Sequence, residues 1–130
     1  MATPQSIRNY VPGDDLQIVV TVSNLDPSDA LVKAWLTVKA SEADADPGAL
    51  QKIITTTLGT SGQITADGSV AQGNGVATMN FLVLATESLA LGTRRYVHDV
   101  QVKTAAGKIY TAQYGDFGPP AFPGITSATS

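Results

Sequence analysis

At 130 residues, with 43% apolar and only 6% aromatic side chains, the chain is one domain whose core must come mainly from Val, Ile, Leu and Ala. A net charge of −3 from 15% charged residues leaves no clustered basic face for nucleic acid and nothing to draw the chain to an anionic membrane surface. Without cysteine there is no disulfide, thiolate nucleophile or Cys-based zinc site.

In chain order, residues 1–12 are polar, contain two prolines, and read as an N-terminal arm without its own core. The opening MATPQSIRNYVPGDD has no basic region followed by an apolar run, so synthesis in the cytoplasm is expected, and no apolar stretch reaches membrane-spanning length. Leu16, Ile18, Val20 and Val22 then alternate with Gln17, Val19 and Thr21, the period of a half-buried strand. After the turn cluster NLDPSD, a second strand places Val32, Ala34, Leu36 and Val38 on one face. Leu31, Lys33, Trp35, Thr37 and Lys39 fall on the other. The loop SEADADPG interrupts the chain. Residues 49–58 favour β structure, a weak strand follows near 63–65, and ADGSVAQGNG is a Gly-rich loop.

Alternation returns in GVATMNFLVL, with Ala77, Met79, Phe81 and Val83 on one face. TESLALG suits a single helical turn capped by Thr86, with Glu87 in its first turn and Gly92 as its stop. A hairpin closes the domain about the turn Ala105-Ala106-Gly107. Tyr96, His98, Val100 and Val102 share one face of its first strand. Tyr110, Ala112 and Tyr114 share one face of its second. Residues 118–130, GPPAFPGITSATS, hold three prolines and form no regular ladder, so they read as a C-terminal arm. Six or seven short strands with frequent turns and no long helical period predict an all-β fold. The expected fold is an immunoglobulin-like antiparallel β-sandwich over residues 13–117, with extended arms at both ends.

Chemistry is sparse. His98 is the only histidine, and Asp99 lies on the opposite face of its strand, so a core histidine satisfied by a backbone carbonyl is expected rather than a general base. The acid pairs Asp14/Asp15, Asp26/Asp29 and Asp44/Asp46 lack the spacing of a calcium loop and read as turn residues. ADGSVAQGNG lacks the Lys-Ser/Thr and helix that a phosphate cradle needs. No catalytic set, cofactor site or metal site is expected. Trp35, with Leu31 on the same predicted face, is a candidate protein contact, as are Phe122 and Ile125 in the C-terminal arm.

The order GDDLQIVVTV, ALVKAWLTVKAS, LALGTRRYVHDVQVKTAAGKIYTAQYGDF resembles small immunoglobulin-like proteins of tailed-bacteriophage structural modules. These comprise capsid decoration (cement) proteins and domains similar to the N-terminal domain of baseplate upper proteins. The resemblance rests on Gly13 and Asp14 before the first strand, on Trp35 to Lys39, and on Leu91, Gly92, Tyr96, Asp99 and Val100. Gly115 and Phe117 supply the closing Gly-x-Phe. It implies a non-enzymatic virion protein, a capsid decoration subunit that binds the major capsid protein or another virion protein as a homo-oligomer, without nucleic acid or membrane partners. The other implied role is a tail or baseplate accessory, or a receptor- or carbohydrate-binding module.

Overall fold

The computed structural model describes residues 3–7, 11–41 and 48–118. Its elements run β1 (Thr3–Pro4), β2 (Leu16–Val22), β3 (Leu31–Lys39), β4 (Leu50–Thr55), β5 (Gly62–Asp67), β6 (Ala77–Val83), α1 (Ala85–Leu91), β7 (Tyr96–Thr104) and β8 (Ile109–Phe117). They form two sheets, ordered β1-β8-β7-β3-β4 and β2-β6-β5. All pairings are antiparallel except β1 with β8. This is an immunoglobulin-like β-sandwich.

Period-2 alternation sends one face of each sheet into the gap between them. Ile18, Val20, Leu36, Val38, Phe81, Tyr96, Val100 and Val102 are all buried, and Leu16 packs against them at the rim. Each such side chain contributes about 1.5–3 kcal/mol of transfer free energy. A core poor in aromatics thus depends on many medium-sized contacts.

Three bulges modify the alternation. Between Leu31 and Lys33 the register slips, because β3 places one extra residue, Val32, against β7. An extra residue reverses every side chain beyond it. Leu31 therefore turns into the core, 1% exposed, while Val32 is 42% exposed. This corrects the expected face of both. On β8 the slip falls between the pairs Val100↔Gln113 and Gln101↔Thr111, leaving Ala112 as the extra residue. Ala112 and Gln113 are both buried, and Tyr114 moves to the outer face opposite Asp99, contrary to the simple alternation. The third bulge lies in β5, between Ile64 and Ala66.

Residues 3–7 of the expected N-terminal arm lie against the outer edge of β8. Thr3 and Pro4 pair in parallel with Gln113 and Tyr114, the Gln5 and Ile7 amides donate to Tyr114 and Asp116, and Gly118 donates back to Ile7. Ile7 is buried in the core cluster. An unpaired outer edge on β8 offers backbone partners, and Ile7 supplies the apolar anchor that its polar neighbours conceal in the sequence. Gly115 permits the close approach, since a Cβ there would lie 2.3 Å from the Gln5 carbonyl oxygen.

Helix α1 spans the connection from β6 to β7. Its N-cap is Leu84 rather than a residue of the expected Thr86 type, and Thr86 lies inside the helix. Leu84 has no capping group, so acids act instead: Glu87 Oε1 accepts the Leu84 N–H at 2.9 Å and Asp15 Oδ1 accepts the Ala85 N–H at 2.7 Å. Gly92, at φ 66°, ends the helix as expected. The fully buried Ser88 ties the helix to the turn before β2. Its hydroxyl donates to the Asp14 carbonyl at 2.7 Å, lies 3.1 Å from the Ala85 carbonyl, and accepts the Gly13 N–H at 3.0 Å. The Tyr96 hydroxyl donates to the Leu91 carbonyl at 2.9 Å and closes the other end.

Replacing Ser88 by Ala leaves the Gly13 amide and Asp14 carbonyl without that partner. The expected loss is about 2 kcal/mol in urea unfolding with an unchanged m-value. Wild-type stability in the variant would show that water replaces the hydroxyl.

Candidate functional site

His98 sits on β7 with its ring turned inward and buried. Its Nδ1 lies 3.0 Å from the Gly115 carbonyl oxygen, and its Nε2 lies 3.0 Å from Gln113 Nε2. A carbonyl only accepts and an amide NH2 only donates, which assigns a neutral ring protonated at Nδ1. The ring also meets Phe117 edge-on, with centroids 5.9 Å apart. The β8 bulge turns Gln113 inward to complete this arrangement.

Burial pushes the His98 imidazole below its ordinary value, against the opposing pull of the Gly115 and Asp116 carbonyls and the Asp116 charge. Both ring nitrogens are engaged within the fold, as the core reading expected, so neither is poised to take a proton from a substrate.

The acidic residues serve the backbone. Asp26 accepts from the Ser28 amide and hydroxyl at 2.9 and 2.7 Å, and those two bonds lower its carboxyl from the ordinary value. Asp29 accepts the Ala106 N–H at 2.8 Å, joining the β7–β8 turn to the loop before β3. Asp44 and Asp46 lie outside the described residues. Among the described residues no group of three His, Cys, Asp or Glu side chains could hold a metal. The Gly-rich loop uses its own amides: Gly68 donates to Gln72, Asn74 to Ser69 and Gly75 to Gly68. Those donors do not face an anion.

Lys52 and Glu87 form an ion pair at 2.6 Å that links β4 to α1. Burial pushes the Glu87 carboxyl up, but the Lys52 hydrogen bond, the Leu84 amide and the Lys52 charge outweigh it and leave the group below its ordinary value. The pair is a structural strut within the fold.

The remaining candidate is the outer face of the five-stranded sheet. Trp35 lies there half-buried, opposite Ile53 on β4 and Gln101 on β7, with Lys33 Nζ 5.1 Å from its ring centroid. Ile53, Ile109 and Tyr114 are 46%, 57% and 47% exposed, a set that spans the width of the sheet. Two shallow depressions of about 370 and 390 Å³ share Thr37, Lys39 and Asp99, with Tyr114 lining the first and Trp35 the second. Together they make one trough across β3 and β7, with an aromatic residue at each end. Its floor is Thr37, held by a hydrogen bond from Gln51 at 3.1 Å. Of the sequence candidates, Trp35 lies on this face and Leu31 does not. Phe122 and Ile125 lie outside the described residues. Tyr114 was missed because simple alternation put it on the inner face of β8, and the bulge at Ala112 reverses it; Ile109 keeps the outer face that alternation gives it but carries no sequence signal that singles it out.

His98 and Glu87 predict the pH response. His98 has a depressed folded value, so its neutral form contributes full stability above about pH 6.5, and that contribution is lost as the pH falls below it. Glu87, also depressed, contributes above its unfolded value, and this is lost as the pH falls through the lower folded value. His98→Phe should flatten the first limb of a stability–pH curve and leave the second. Equal slopes below about pH 6.5 in both proteins would contradict the assignment.

Among the described residues no helix is long and apolar enough to cross a membrane. No family model matches the sequence, and no curated protein matches it. Among solved structures the chain is similar to AggA, the major subunit of aggregative adherence fimbriae type I from Escherichia coli. Identity is 15%, 89% of each chain is covered and the TM-score is 0.37. That likeness carries no statement about what this chain binds.

Proposed function

We propose that the chain is a non-enzymatic structural subunit that attaches to another protein through the outer face of its five-stranded sheet. The observation that carries this reading is the placement of Trp35, Ile53, Ile109 and Tyr114 together on one solvent-facing surface. The other outer face is mostly polar, with Gln17, Thr21, Gln63 and Thr78 around Val19. The resemblance of the strand order to phage structural modules supplies the setting: a tailed-phage virion, with the chain decorating the coat as a cement subunit. The partner is then the major capsid protein or another virion protein. Phe122 and Ile125 of the C-terminal segment are the second contact in this reading.

A second reading takes the same trough as a glycan or receptor site at a tail or baseplate. Aromatic residues at both ends and Gln51, Gln101, Asp99 and Lys39 between them are the mixture of stacking platform and polar groups that sugars require. Trp35 is the sole tryptophan, so its fluorescence reports any occupant of the trough.

The test is retention on particles that lack the native protein. Trp35→Ala should weaken binding by about 2 kcal/mol, roughly thirtyfold, and truncation after Gly118 should weaken it independently. Undiminished retention by a folded Trp35→Ala protein excludes this face as the attachment surface. A saturable fluorescence change on titration with soluble oligosaccharides would favour the second reading.

A further inference from the structure

The two sheets present four edge strands, β1, β4, β2 and β5. An open edge is a template for another strand, and natural sheets guard it with brevity, proline, an inward charge or a bulge. Three of the four edges are guarded. β1 is two residues long and contains Pro4, which has no N–H. β4 carries the inward Lys52, and β5 is bulged between Ile64 and Ala66.

β2 has none of these devices. It is seven residues long, reads LQIVVTV without charge or proline, and pairs with β6 in one unbroken register. Among the described residues no strand pairs with its outer side. Val19 stands at its centre, 62% exposed.

The strand is also self-complementary. In an antiparallel pair of two β2 strands centred on Val19, residue i meets residue 38 − i. Leu16 then faces Val22 and Ile18 faces Val20 on the inner side. Gln17 faces Thr21 and Val19 faces Val19 on the outer side. Apolar meets apolar, polar meets polar, and Asp15 falls opposite Ser23 rather than another acid. We propose that two copies of the chain associate through this edge, joining their three-stranded sheets into one six-stranded sheet with its twofold axis at Val19. The contact is isologous, so it closes at two copies instead of growing into a fibre. It leaves both Trp35 faces open and does not depend on what they bind.

The experiment is sedimentation velocity across a micromolar-to-millimolar concentration series. Wild type should show a monomer–dimer equilibrium. Val19→Lys and Val19→Glu each place like charges opposite one another at the axis and should weaken self-association about tenfold or more. Val19 is exposed, so either charge is compatible with the folded monomer, which circular dichroism checks. An equimolar mixture of the two variants should recover a heterodimer through opposite charges. Wild type that stays monomeric, or variants that self-associate as wild type does, would overturn the proposal. Dissociation without recovery on mixing would overturn the Val19-centred register.

Discussion

The structure depends on keeping one unbroken apolar layer between two sheets of unequal width. With few aromatics available, the layer is assembled from many branched aliphatic side chains, and a polar group turned inward by mistake would cost more than any one of them supplies. Two of the three bulges bear on that constraint. The one at Val32 turns Leu31 inward where strict alternation would expose it. The one at Ala112 brings the Gln113 amide inward, where it meets the imidazole of His98. The two polar side chains satisfy each other and the Gly115 carbonyl, so the lone histidine is part of the packing, as its place on the strand implied.

The sheets were legible wherever alternation ran unbroken. Residues 16–22 and 77–83 pair over their full length without a slip, and their inward faces follow from the sequence alone. Bulges were not legible, because one extra residue reverses a face without changing composition. Leu31 and Tyr114 were misplaced for that reason, and with them part of the exposed surface. The N-terminal strand was hidden differently: a two-residue strand and a single buried isoleucine leave no period to read. The helix was visible as a short segment, but its fastening was not. Ser88 and Asp15 act on residues seventy or more positions away, a separation no local pattern records.

The candidate site shows the same division. Trp35 could be singled out because a tryptophan among lysines on a strand's polar face is unusual. Ile53, its cross-strand neighbour, needed the β3–β4 register, and the trough needed the approach of β7 and β8. The distribution of polar groups also matters. Acids near the helix and loops are occupied by backbone amides, while Trp35, Ile53, Ile109 and Tyr114 share the outer face of the broader sheet. This separates the parts that hold the domain together from those that meet the surroundings.

The parallel pairing of β1 with β8 has a mechanical consequence. Because the two strands run in the same direction, residue 3 lies beside the middle of β8, while the chain passes residue 118 beside Ile7. Tension applied between these points pulls the strands past each other lengthwise. The backbone bonds of Gln5, Ile7 and Gly118 are then loaded together in shear, rather than opened one at a time as when a hairpin is peeled. The domain therefore resists tension best along the line from residue 3 to residue 118.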